Sequence, residues 1–260
     1  MRLLRYLGRR WISATAYAGE LLLLAIEVVR SLFGGRPRWG LVPAQVLEIG
    51  ARSQLVVMVT GAFTGAVFAA QTFFQFHELG MDSAVGPVVA VSMCRELGPV
   101  LAGLMVAGRV GAAMSSELGT MKVTEQIDAL RALAVHPIDY LVVPRLLALM
   151  LSMPLLVAEC IALGIVAGYV VGVQMLGIQG AYFINNLLTF TSAGDVILGL
   201  IKGFFFGILI ALVSCQKGLD AAEGAVGVGR AATSAVVVSS LGILVSNFFL
   251  TLALNPLFPA

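Results

Sequence analysis

Four charged residues sit inside otherwise apolar runs: Arg95 and Glu96 in Cys94-Arg95-Glu96-Leu97-Gly98-Pro99-Val100, Glu159 midway along a later run, and Lys202 in another. Charges in such surroundings are costly, so they pair with one another or face a wet cavity. Adjacent residues on a helix point about 100° apart, which leaves Arg95 and Glu96 badly placed to pair together. Each needs a partner on another helix. Either Glu96 or Glu159 could neutralise Lys202. Pro99 removes a helix hydrogen bond and bends the chain there. The stretch reads either as a kinked helix with two structural ion pairs or as a polar hinge beside a transport cavity.

Other chemistry finds no support. His77 and His136 are far apart in sequence and cannot share a metal, and there is no nucleophile elbow or HExxH pattern. No catalytic residue and no metal site is expected. Gly224-Ala-Val-Gly-Val-Gly-Arg lacks the Lys-Ser/Thr ending and the preceding strand of a phosphate loop. Cys94, Cys160 and Cys215 lie in apolar runs without paired spacing and read as small core residues.

The elements that must position these charges follow from composition. Of 260 residues 59% are hydrophobic and only 12% charged, with a mean hydropathy of +0.99. A soluble domain carries about 25% charged residues. Half that charge cannot coat a water-soluble surface, so the fold class is an all-α integral membrane protein. A span needs about 20 mostly apolar residues. Five stretches qualify, near Leu55–Phe76, Ala84–Ala107, Leu141–Val173, Val196–Cys215 and Ala232–Leu254. Residues 1–36 form a separate amphipathic helix lying in the membrane interface, broken by Gly34, Gly35 and Pro37, and residues 37–260 form one five-span domain. Small-xxx-small pairs (Gly61/Gly65, Gly164/Gly168/Gly172, Gly203/Gly207) suggest close helix packing.

The basic residues orient the spans. Arg2, Arg5, Arg9, Arg10, Arg30, Arg36, Arg38 and Arg52 precede the first span; Arg109, Lys122, Arg131 and Arg145 follow the second; Lys217 and Arg230 follow the fourth. Only Arg95 and Lys202 of the 16 remain, both inside spans. The positive-inside rule then predicts a cytoplasmic N-terminus and a C-terminus outside. Between the second and third spans, Thr124 is a candidate N-cap, with Glu125 and Asp128 in the first turn. Ile127, Leu130, Leu133 and Ala134 make an apolar stripe, and His136-Pro137 a stop. Such a short amphipathic helix either rests on the membrane surface or docks into a groove on a cytoplasmic partner, and the mixed charge of its polar face favours the partner.

Two long runs carry a resemblance: CRELGPVLAGLMVAGRVGAAMSSELGTMKVTEQIDALRALAVHPIDYLVVPR, Cys94–Arg145, and KGLDAAEGAVGVGRAATSAVVVSS, Lys217–Ser240. They resemble the MlaE permeases, the membrane subunits of ABC-type lipid transporters that work with MCE-domain proteins. The similarity extends from about Val42 to the C-terminus. It implies a homodimer in a bacterial inner membrane, two copies of a separate subunit that binds ATP and Mg, and an MCE-domain protein on the periplasmic side. It implies phospholipid as cargo, moved between inner and outer membranes, and no cofactor in this chain.

By position the resemblance puts the substrate pathway at Phe68, Gln71, Phe76, Glu96, Leu97 and Leu101. It makes Thr124, Glu125, Gln126, Ile127, Asp128, Leu130 and Arg131 the helix that couples to the ATPase. Some members carry a basic residue near Ala44, and Arg52 is a candidate substitute here. The competing reading is a secondary transporter driven by an ion gradient, with Glu96, Glu159 and Lys202 as ion-linked groups; a scaffold that only anchors partners ranks last.

Overall fold

The computed structural model describes residues 2–34 and 38–257, with side chains from Thr15 onward. The expected break at Gly35 and Pro37, with Arg36, lies outside the described residues, as do the side chains of Arg2, Arg5, Arg9 and Arg10. Every regular element among the described residues is helical. The helices are α1 (Arg2–Gly34), α2 (Val42–Ile49), α3 (Gln54–His77), α4 (Val85–Ser92), α5 (Gly98–Val106), α6 (Ala112–Val123), α7 (Gln126–Ala132), α8 (Val143–Tyr169), α9 (Gly180–Phe190), α10 (Ala193–Leu219) and α11 (Gly224–Leu254).

Five runs among the described residues are long and apolar enough to cross a membrane, the number expected: Trp39–His77, Asp82–Val123, Ile138–Met175, Ala193–Leu219 and Gly224–Leu254. Every run is longer than expected, the first beginning at Trp39 where Leu55 was expected, and three further differences matter. The second span does not stop near Ala107. It continues through a π-helical turn, Ala107–Gly111, into α6, because α6 is packed against α10 and α11. Arg109 is therefore a helical residue, not a loop residue, and it donates to the Ser53 hydroxyl at 2.7 Å. The fifth span begins at Gly224, so the glycine run once resembling a phosphate loop is the first turns of a helix. The third difference is α9, which was not anticipated. Its 11 residues are about 16 Å long, too short to span, and it packs on α4. Phe183 of α9 fills the space above Gly86 and Gly172.

Close backbone approach holds the bundle together, as the small-residue pairs suggest. A Cβ added to Gly61 would lie 2.6 Å from the Cys160 carbonyl oxygen, and one on Gly65 2.0 Å from that of Gly164. These contacts advance together along both chains, so α3 and α8 run parallel in one seam. On α10 a Cβ at Gly207 would meet the Leu149 carbonyl oxygen at 2.7 Å. Without water to drive apolar faces together, such contacts supply the packing. All three cysteines are buried and free.

The N-terminal helix lies across one end of the bundle. Leu24, Val28 and Ser31 face inward, while Leu22, Leu23, Ile26, Val29 and Phe33 are exposed. Polar contacts moor it at two places. Gln216 of α10 donates to Glu20 at 3.2 Å, and Lys217 sits 3.7 Å from the centre of the Tyr17 ring. Burial, helped by the charges of Asp220 and Glu20, pushes the Tyr17 phenol up to about 12. Ser31 donates to Asp139, and His136 lies between Glu27 (3.3 Å) and Asp139 (3.4 Å).

Candidate functional site

The second span carries the central device. Between α4 and α5 the helix widens into a π-helical turn, Met93–Leu97, that holds Arg95 and Glu96. Pro99 follows in the first turn of α5. It has no N–H to offer the carbonyl four residues back, so the Arg95 oxygen loses its usual helical partner. Lys202 of α10 replaces that donor, with its Nζ 2.7 Å from the Arg95 oxygen. A π-turn of this kind is the local signature of a helix bent around a site.

Lys202 is fully enclosed, and its ammonium group has three donors to satisfy. Three acceptors surround it: the Arg95 carbonyl, Glu96 Oε1 at 2.9 Å and Thr251 Oγ1 at 2.8 Å. Glu96 is satisfied in turn, since Asn247 Nδ2 donates to its other oxygen at 2.7 Å and Thr251 lies 3.0 Å from Oε1. Arg95 turns the other way. It donates to Asp195 through Nε and to Asn255 Oδ1 through Nη1 at 2.9 Å. Asp195 also closes the capping box of α10, accepting from the Ser192 backbone N–H at 2.7 Å.

The two charges of the second span therefore have separate partners, both on α10 and two helical turns apart. Lys202 pairs with Glu96, which decides between the two carboxylates; Glu159 makes no hydrogen bond or ion pair with any described residue. A Cβ on Gly199 would come 2.3 Å from the Cys94 carbonyl oxygen, so α10 runs hard against the π-turn.

Five members of this cluster escaped the reading of the sequence. Ser192 and Asp195 carry a visible signal, the S-x-x-D capping pattern before an apolar run. Asn247 and Thr251 in α11 and Asn255 at its C-cap recur every four residues, which puts them on one side. Singly they look like ordinary membrane-helix polar residues.

The other expected pathway residues are divided. Phe68, Phe76 and Leu97 pack at the edge of a small apolar cluster with Phe73, Val89, Met93 and Phe183. Leu101 is half-buried on α5, and Gln71 is exposed. Arg52 is taken up by Glu48, 2.6 Å away and one turn earlier, and Ala44 is exposed.

A short helix, α7, forms between the second and third spans where one is expected, but its start and its apolar stripe differ from expectation. Thr124 is not its N-cap: it ends α6, with its hydroxyl donating to the Thr120 carbonyl. The cap position belongs to Glu125, whose φ of 58° turns the chain sharply. The helix ends at Ala132, five residues before Pro137, in a second left-handed turn at Ala134 (φ 55°). Of the stripe, Ile127 is buried and Leu130 half-buried, but Leu133 is 74% exposed, beyond the helix end. Gln126, Asp128 and Arg131 face outward with Glu125, and Arg131 is 2.9 Å from Asp128. Arg145, buried in the first turn of α8, binds Glu117 at 2.9 Å and ties the second span to the third.

A sequence model of the MlaE permease family matches residues 42–253. The chain belongs to that family. A probable ABC transporter permease protein of Rickettsia conorii is 43% identical over 244 residues, 94% of either chain. One from Synechocystis is 42% identical over 207 residues, 80% of this chain and 79% of its own length. A chloroplast protein of Arabidopsis thaliana named trigalactosyldiacylglycerol 1 is 36% identical over 229 residues, 88% of this chain and 65% of its own. The chain is a multi-pass membrane permease of the ABC transporter type. The matched range contains both the Arg95–Glu96 turn and α7.

Proposed function

We propose that this permease moves phospholipids between the inner and outer membranes of a bacterium, as a homodimer driven by two ATP-binding subunits and served by an MCE-domain protein outside. The observation that carries the energy-coupling part is α7. It joins the second and third spans, its inner side is anchored by Ile127, and its charged side is left open. A push on that side is transmitted through α6 and α8 to the whole bundle. The plant relative, named for a glycerolipid, supports lipid as the cargo. The basic residues support an orientation with α7 in the cytoplasm and the C-terminus outside.

Mechanistically, Phe68, Phe76 and Leu97 supply apolar wall for acyl chains. Glu96 is the one charged group of that wall, held neutral as a pair by Lys202. Arg95 and Glu96 grip α10 and α11, so a change in the bend at Pro99 moves three spans together. The mutual satisfaction of Glu96 and Lys202 speaks against their serving as ion-linked groups.

The test is reconstitution of the permease with its ATPase, with fluorescent phospholipid transfer and ATP hydrolysis measured together. Asp128→Arg with Arg131→Glu is expected to lower ATP-driven transfer at least tenfold while the protein stays folded in the membrane. Transfer unaffected by these changes, or abolished by an ionophore in ATP-replete vesicles, overturns the reading.

A further inference from the structure

One histidine is built into the joint between the N-terminal helix and the bundle. His136 stands in the turn after α7, where the left-handed Ala134 (φ 55°) has ended that helix and Pro137 restrains the residue before it. Its ring faces two carboxylates, one on α1 and one on its own turn. Nε2 is 3.3 Å from Glu27, and Nδ1 is 3.4 Å from Asp139. Ser31, one turn beyond Glu27 on α1, donates to the same Asp139 oxygen. Val28, between the two, is buried against the bundle. Two residues of α1 thus meet two of the turn leading into α8, with the imidazole in the middle.

The charge of the ring decides whether both contacts attract. An ionised carboxylate only accepts, and a neutral imidazole carries one N–H and one bare lone pair. Whichever tautomer forms, one ring nitrogen then turns its lone pair toward a carboxylate oxygen. The imidazolium has a proton on each nitrogen, so it alone suits both neighbours. The other charges near the ring line a cavity of about 660 Å³ beside it: Lys122 of α6, Asp128 and Arg131 of α7, and Asp220 after α10. Arg131 is engaged with Asp128, and among the described residues neither Lys122 nor Arg131 pairs with Glu27 or Asp139. The outer face of α1 is apolar as well, with Leu22, Leu23 and Ile26 exposed, so burial alone does not choose the face that docks. Polar contacts such as this one make the choice.

We propose that His136 is a proton-operated clasp that fastens α1 to the turn before the third span. With the imidazolium in place, Glu27 and Asp139 are both attracted and α1 is held on α8 and α10. When the ring loses its proton, one of the two carboxylates is repelled and the hold weakens. Docking and proton uptake are thereby linked. The added hold is present at low pH and is lost as pH rises through the range, about 5 to 8, in which an imidazole changes charge. His136 and Glu27 are half open to water, so the effect is a severalfold shift in the docking equilibrium. The clasp lies apart from the Arg95–Lys202 cluster and rests on no reading of the cargo.

The test is the rate at which N-ethylmaleimide modifies a cysteine placed on α1 of the full chain in phospholipid nanodiscs. Mass spectrometry of the α1 peptide reads that site apart from the buried Cys94, Cys160 and Cys215. Val28→Cys and, as a second reporter, Leu24→Cys put the thiol on the buried face. Leu22→Cys puts it on the open face and gives the reference for the effect of pH on the thiol itself. The ratio of buried to open rates is expected to rise about three- to fivefold between pH 6 and pH 8 with both reporters. His136→Gln should leave the ratio high at both pH values, and His136→Lys should leave it low at both. Glu27→Gln should remove most of the rise, because a carboxamide donates to a neutral ring as readily as it accepts from a charged one. A ratio that does not change with pH, or a rise that survives His136→Gln, overturns the proposal. Either result leaves the test of ATP-driven transfer untouched.

Discussion

The Arg95–Glu96 turn and the α7 end use the same residue types to opposite effect. At the turn, Lys202 is fully enclosed and Glu96 takes donors from three side chains. At α7, Asp128 and Arg131 make an ion pair of ordinary length, 2.9 Å, with about two-thirds of each side chain in the open. An exposed pair gains little, because solvent screens it and both side chains must be held still. An enclosed pair is costly to break, because the charge left behind has no water. The turn is built to hold helices in one arrangement. The α7 end keeps its charges available for something else to engage.

Several substitutions sharpen or break that contrast. The largest effect is expected at Lys202. Lys202→Met strands Glu96 and should cost about 3–5 kcal/mol. The double change Lys202→Met with Glu96→Gln should recover most of that loss. Thermal unfolding in detergent reads both; a single variant as stable as wild type would erase the distinction between the two regions. Next comes Asp195→Ala, which removes the α10 cap and the Arg95 partner together and should cost about 2–3 kcal/mol. The matching measurement at the seam is Gly65→Ala, whose Cβ meets backbone at 2.0 Å. It should destabilise by about 1–3 kcal/mol through overpacking, whereas Gly108→Ala, with nothing nearby, should not.

At the α7 end the signs change. Glu125 holds a left-handed conformation, φ 58°, that costs an L-residue about 1–2 kcal/mol. Glu125→Gly should therefore raise stability by about 1 kcal/mol in the same melt. Smallest of all, Asp128→Ala or Arg131→Ala should move stability by less than about 0.5 kcal/mol. A large loss of stability from either would show that α7 is part of the fold's support and not a free surface.

Much of the architecture was legible in the residues. Span count follows from apolar length, and the interior charges stand out because nothing near them is polar. The seam glycines were visible at their spacing. Boundaries were less so, because Arg109 looks like a loop residue until α10 and α11 are seen packed along α6. The N-terminus of α7 was misplaced for a related reason. Thr124 is a good cap by type, but its hydroxyl is already used on the Thr120 carbonyl, and Glu125 takes the turn. The stripe through Leu133 assumed a helix two residues longer than the one that forms.

What the chain's sequence determined by itself was local: hydrophobic length, the positions of charge, the missing N–H at Pro99, the small residues that allow helices to touch. These depend only on a residue and its neighbours. Which carboxylate meets Lys202 was decided by tertiary structure alone. Glu96 and Glu159 are equally plausible partners in sequence. Only the parallel packing of α10 along the second span brings Lys202 under the Arg95 carbonyl and beside Glu96, and leaves Glu159 away from both. A charge's cost is set by what surrounds it in space, and that is a property of the packed bundle.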